Sequence, residues 1–194
     1  MKKINVFYVW GVGGSPESST VEYLQEALGE KYNVISDFYA QYNPVEAISD
    51  LTTYIKDKKI DLIVGSSLGA FISLQLPNIP KILINTCLHP ETELEKLTTD
   101  VENPETHEIE TVKAVPEHIV KFYKDYVESN NIWSNFNKDN TVFVFGDNDE
   151  LFEDRFWDEI KSYSTNIVFS KQGHHNTKES IRDYVAPEIK KMFE

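Results

Sequence analysis

The sequence predicts a doubly wound α/β domain, a mostly parallel sheet of about six strands covered by helices on both faces. Three observations lead there. Six short apolar runs recur along the 194 residues. Segments of helical period separate them, which is the alternation that crossover-linked parallel sheets require. Four of the runs, INVFYV, DLIV, KILI and TVFVF, are nearly continuous in apolar side chains, as strands buried on both faces are.

The elements follow in order. Ile4–Val9 is the first strand. Two lysines before it and glycines after it imitate a secretory signal, but the run is short, contains Asn5 and has no A-x-A-like cleavage site. A helix over Glu17–Leu28 opens on the serine and proline of SPESST. Tyr32–Ile35 is the second strand. Pro44–Lys58 places Val45, Ile48, Leu51 and Ile55 on one helical face. Asp61–Val64 is a strand, and Leu68–Leu76, apolar nearly all round, reads as a buried helix. Lys81–Ile84 is the next strand. Residues 91–140 then break the rhythm with an acid-rich stretch followed by aromatics, too long for a simple loop. The expectation is a small helical, cap-like insertion over the carboxyl edge of the sheet, the alternative being an extended crossover with a solvated acidic face. Thr141–Phe145 and Asn166–Phe169 complete the strands, and a last helix over Asn176–Val185 starts with Asn176 as cap and Glu179 behind it. Residues 1–194 form one domain.

Composition narrows the function. With 19 Lys and Arg against 32 Asp and Glu the formal net charge is −13. Such a surface repels phosphate backbones and anionic lipid, so neither nucleic acid nor membrane is expected as a partner. No apolar stretch approaches the roughly 18 residues of a membrane helix, and a cytoplasmic protein is expected. The single cysteine, Cys87, allows no internal disulfide or cysteine-based metal finger, and it reads as a small buried hydrophobe. Trp10-Gly11-Val12-Gly13-Gly14-Ser15 is glycine-rich, but Pro16 stands where a dinucleotide loop needs its last glycine, and there is no P-loop lysine. No cofactor or metal is implied.

Ligands of open α/β sheets bind at the carboxyl ends of the strands, so the residues after each run matter. After DLIV comes Gly65-Ser66-Ser67-Leu68-Gly69, a G-x-S-x-G turn with Ser67 at its centre. After TVFVF come Asp147 and Asp149, and after NIVF come His174 and His175. Serine, acid and histidine thus follow one another on three strand ends, in the chain order of the α/β-hydrolases. A serine hydroxyl needs an imidazole to take its proton and a carboxylate to orient that imidazole. Asp149 is preferred for its longer reach, with Asp147 as the alternative. Asp147, Glu150 and Asp154 otherwise read as solvated loop charges. His174 is preferred, with His175 as the alternative, while His89, His107 and His118 read as ordinary loop or helix residues. The N–H groups of Leu68 and Val12 are the candidate oxyanion donors. Trp10, Phe71 and Trp133 are candidates to line an acyl pocket, or else plain core. A small-molecule acyl ester is the expected substrate and partner.

These residues resemble a known group, the small YqiA-like serine esterases of bacteria, compact members of the α/β-hydrolase superfamily. The likeness rests on YVWGVGGSP (8–16), GSSLGA (65–70), ILINTCLHPETEL (82–94), Asn103-Pro104, GDNDEL (146–151) and GHH (173–175), and covers most of the chain. It implies a compact α/β-hydrolase fold and a metal-free Ser-Asp-His hydrolase of acyl esters with little lid. Ser67, Asp149 and one of His174 and His175 take the triad roles. Trp10 stands where the family usually has a histidine.

Overall fold

The computed structural model describes residues 3–151 and 155–194. The chain runs β1 (Ile4–Val9), α1 (Ser19–Leu28), β2 (Tyr32–Ile35), α2 (Pro44–Lys58), β3 (Leu62–Ser66), α3 (Leu68–Gln75) and β4 (Lys81–Ile84). It continues through α4 (Pro90–Lys96), β5 (Thr98–Glu102), β6 (Ile109–Lys113) and α5 (Glu117–Ser129) to β7 (Thr141–Gly146), α6 (Arg155–Tyr163) and β8 (Ile167–Ser170). It closes with α7 (Lys178–Ser180), a π-helical turn (Ile181–Val185) and α8 (Ala186–Lys191). One six-stranded sheet has the order β2-β1-β3-β4-β7-β8 and is parallel throughout.

The continuous apolar runs sit where two-sided burial demands them. Every residue of β3, β4 and β7 is buried. α3 follows β3 directly and is buried along its whole length, which explains why its sequence shows no polar face. α2 is anchored by Asn43, whose side chain accepts the Glu46 N–H at 3.3 Å, and its Lys59 ends the helix in a left-handed conformation. The register Val9↔Gly65, Ser66↔Ile84 and Gly146↔Ser170 brings the carboxyl ends of five strands level. The peptide segments that follow β1, β3, β4, β7 and β8 therefore meet along one edge.

Two expectations change. Residues 91–140 are not a purely helical insertion: between α4 and α5 lies an antiparallel hairpin, β5 paired with β6 from Thr98↔Lys113 to Glu102↔Ile109. Its Thr, Val and Ile content is that of strands. The interspersed acids and the exposure of every residue in both strands leave no apolar face to betray it. The last helix is capped by Thr177 rather than Asn176: Ser180 N–H donates to Thr177 Oγ1 at 3.1 Å and Thr177 N–H to Ser180 Oγ at 2.9 Å, a reciprocal capping box. Asn176 turns the other way, into the carboxyl edge. Among the described residues no helix is long and apolar enough to cross a membrane.

His89, just before α4, ties the insertion to α6. Its Nδ1 lies 3.2 Å from Glu91 Oε1 and its Nε2 2.7 Å from Glu159 Oε2. The Glu91 contact first, then Glu159, raise its pKa from 6.5 to about 9 against the opposing effect of burial. The folded-state value lies above the unfolded one, so this contribution to stability is complete below about 6.5 and is lost as pH rises through about 9. A histidine-selective NMR titration is expected to find this ring still protonated at pH 8, and Glu91→Gln to bring its midpoint down.

Candidate active site

Ser67 occupies the turn between β3 and α3 with φ 55° and ψ −121°, a positive φ that a non-glycine residue adopts only when its surroundings impose it. The restraints are visible. Ser67 N–H donates to Ile84 O at 2.9 Å, and Ser67 O accepts from Ala70, Phe71 and Cys87 N–H at 3.0, 3.2 and 3.2 Å. Helix and strand pass too closely for side chains on either flank. A Cβ on Gly69 would lie 2.2 Å from Val9 O, and one on Gly65 would lie 2.6 Å from Ser73 Oγ. Leu68 N–H belongs to the first turn of α3, where amides have no helical partner.

The loop after β1 closes over this turn. At Gly11 a Cβ would stand 2.9 Å from Ser67 Cβ and 3.5 Å from Leu68 N, so Val12, the next residue, is carried to the same place. Trp10 fixes the base of that loop. Its indole donates to Asp37 O at 3.1 Å, its carbonyl accepts the Tyr39 hydroxyl, and its ring lies 4.6 Å from that of Tyr39. Trp10 borders the cleft but is only 5% exposed; its polar bonds hold backbone.

The acid and histidine loops lie side by side. Asp149 and His174 are brought together: His174 Nδ1 is 3.1 and 3.0 Å from the two carboxylate oxygens, and each side chain is 7% exposed. Asp147 is exposed, its N–H spent on Ser170 O. His175 is exposed on the cleft wall, its ring 5.8 Å from that of His174. Glu150, expected as a solvated charge, accepts the His174 N–H at 3.0 Å, and that bond is the first cause holding its carboxyl below the usual range. Asp154 lies outside the described residues.

Sequence reasoning gave no role to Asn85, which the structure places at the centre. It is fully buried, with φ 45°, a conformation asparagine tolerates better than most residues. Its Nδ2 donates to Gly173 O at 3.2 Å and His174 O at 2.9 Å, while its Oδ1 accepts the Gly146 N–H at 2.8 Å. One side chain thus ties the end of β4 to both loops. Its sequence trace is a polar residue closing the apolar run ILI, within the stretch ILINTCLHPETEL that carries part of the resemblance.

Ser67, Val12, His174 and His175 border one cleft of about 640 Å³. Phe71 does not reach it: its ring is fully buried on α3, 6.0 Å from Tyr123 and 6.4 Å from Tyr126. Trp133 stacks on Tyr163 at 3.9 Å and is also absent from the cleft wall. Both pack with the core: Phe71 lies on a helix buried on every side, and Trp133 packs against Phe136, Phe143 and Tyr163. Cys87 is buried, and burial pushes its thiol well above the usual range, which leaves it inert. Among the described residues no group of three or more His, Cys, Asp and Glu side chains is arranged to hold a metal ion.

The family model described as Uncharacterised protein family (UPF0227) matches residues 5–192. No curated protein matches the sequence. Solved structures share the fold at low identity. Est1E from Butyrivibrio proteoclasticus superposes with a TM-score of 0.63 at 14% identity, covering 98% of this chain and 88% of that one. Alpha/beta hydrolase domain-containing protein 10 from mouse gives 0.61 at 14%, covering 97% and 86%. The esterase domain from a Rhodothermus marinus protein gives 0.61 at 13%, covering 97% and 85%.

The contact at Gly69 is backbone on backbone and has no flexible partner to yield. Gly69→Ala is expected to cost about 3 kcal/mol or more, read as a lowered urea midpoint, or to yield no folded protein.

Proposed function

The chain belongs to the uncharacterised protein family UPF0227, and we propose that it is a serine hydrolase that cleaves carboxylic esters through an acyl-enzyme. The observation that carries this reading is the pairing of His174 Nδ1 with the Asp149 carboxylate at 3.0 Å, with His174 and Ser67 bordering one cleft.

In the proposed mechanism Ser67 Oγ attacks the acyl carbon while His174 Nε2 takes its proton. Asp149 accepts the Nδ1 hydrogen, which sets the tautomer and stabilises the imidazolium. In this reading the oxyanion forms between Leu68 N–H and Val12 N–H. Collapse of the tetrahedral intermediate breaks the bond to the alcohol, which leaves with the proton from His174. Water then gives a proton to His174 and attacks the acyl-enzyme. The second intermediate releases the acid, and the proton returns to Ser67.

The fold itself is shared with hydrolases, and the resemblance to YqiA-like esterases points the same way. A thioester would engage the same groups. Among the described residues that border the cleft, however, none is lysine or arginine, and the net charge is −13. A neutral oxygen ester is therefore favoured over a phosphate-bearing acyl carrier.

Wild type is expected to hydrolyse short p-nitrophenyl esters and to be labelled by a fluorophosphonate, and Ser67→Ala to lose both with its melting temperature kept. If wild type neither turns over any ester nor takes the label, the cleft is a binding site on an inert hydrolase fold. Asp149→Asn is expected to lower kcat by about 10³- to 10⁴-fold, against less than threefold for Asp147→Asn. His174→Ala should match the Asp149 loss, and His175→Ala should stay within about tenfold.

A further inference from the structure

The cleft is lined by apolar Val12, Leu97, Ala114 and Leu151 and by polar side chains, Thr98 and Thr99 of the insertion among them. One polar wall is built from Tyr8, Ser18, Thr20, Ser66 and Asn176, gathered around the Tyr8 hydroxyl, neutral side chains delivered by β1, the start of α1, the end of β3 and the loop after His174. Convergence of four chain segments on one uncharged wall is not required by the mechanism above, which uses none of these residues.

Two atoms on that wall are left over. Ser18 is the N-cap of α1, a position where a serine ordinarily accepts a helix amide. Here it makes no capping bond, and among the described residues its buried Oγ has no hydrogen-bond partner. Asn176 Nδ2 donates to Ser66 Oγ at 3.2 Å, and among the described residues its buried Oδ1 has no partner. Such atoms are rare in folded chains and call for a ligand or water. The Tyr8 hydroxyl faces Thr20, Ser66, Ser18 and Asn176, and burial keeps it neutral. Asn176 Oδ1 can only accept, and although the Tyr8 hydroxyl faces it no described donor completes a hydrogen bond there, which leaves room for a ligand's donor. A carboxylate offers none and would meet no cation on this wall.

We propose that Tyr8, Ser18, Thr20, Ser66 and Asn176 form a subsite for a neutral hydrogen-bond donor, a hydroxyl or an amide N–H, carried on the acyl part of a short ester. The proposal rests on the ester-hydrolase reading of Ser67, Asp149 and His174. The assignment to the acyl side is part of the proposal, and the esters compared in its test differ on that side alone. A site that hydrogen-bonds a substituent discriminates against the analogue lacking it, because its own polar groups are then stranded.

The test compares kcat/KM on p-nitrophenyl butyrate, 3-hydroxybutyrate, N-acetylglycinate and hemisuccinate. One of the two donor-bearing esters is expected to exceed butyrate by about three- to tenfold, the worth of a neutral hydrogen bond or two, with hemisuccinate below butyrate. Tyr8→Phe, which removes a single oxygen, and Asn176→Leu should each collapse that ratio towards one. Butyrate matching or beating both donor esters, or hemisuccinate ranking first, overturns the subsite while leaving ester hydrolysis intact. Binding gives a readout that needs no turnover: methyl 3-hydroxybutyrate should raise the melting temperature of Ser67→Ala more than methyl butyrate does at equal concentration. Equal shifts overturn the subsite even if no ester is turned over, the outcome that would separately remove the esterase reading.

Discussion

The approach of α3 to the end of β1 governs the rest of the carboxyl edge. At Gly69 the helix backbone passes so near Val9 that a methyl group would stand 2.2 Å from its carbonyl oxygen. That closeness lets β3 turn into α3 without an intervening loop, and the turn in turn forces Ser67 to a positive φ. Strained backbone persists only where its surroundings over-determine it. Here the determinants are the Ile84 carbonyl on one side and the first turn of α3 on the other. The strain, of order 1–3 kcal/mol, is carried by the packing of a wholly buried helix.

A second constraint holds the loops that face this turn. The described residues that follow β7 and β8, 147–151 and 171–177, lie outside helix and strand, and both stretches must be fixed relative to β4. Asn85 does this with three hydrogen bonds from one buried amide. Satisfied buried polar groups rigidify, whereas partly satisfied ones are costly, so this amide fixes the backbone of Gly146, Gly173 and His174 together. Glu150 adds a fourth tie at the His174 amide. The result is a histidine whose backbone is held from two sides and whose ring is held by Asp149.

The cleft is the complement of these constraints. Its shape comes from backbone that cannot move: the Gly11 loop clamped by Trp10, the α3 turn and the histidine loop. Its lining has several sources. Leu97, Thr98, Thr99 and Ala114 come from the insertion, Tyr8, Ser18, Thr20 and Ser66 from the sheet and the start of α1, and Asn176 from the histidine loop. A strongly acidic surface around an uncharged pocket sets which ligands can approach and which can stay.

Much of this could be read from the chain alone. Continuous apolar runs fixed the strands because burial on both faces leaves no room for alternation. The glycines around Ser67 declared a close strand-to-helix turn, because only glycine fits there. The order of serine, acid and histidine on strand ends was equally visible. Tertiary structure decided what depends on reach. Asp149 lies against His174 while Asp147 faces solvent, a difference of two residues in a turn whose path no local pattern sets. The hairpin Thr98–Lys113 stayed hidden because both of its faces are wet, and hydrophobic periodicity needs a dry one. Phe71 and Trp10 looked alike as aromatics near the motif, yet one is core and the other clamps a loop. Asn85, Ser18 and Asn176 were ordinary polar residues in sequence. Their importance arises from which atoms meet when separate segments close on one another, and that is a property of the assembled chain.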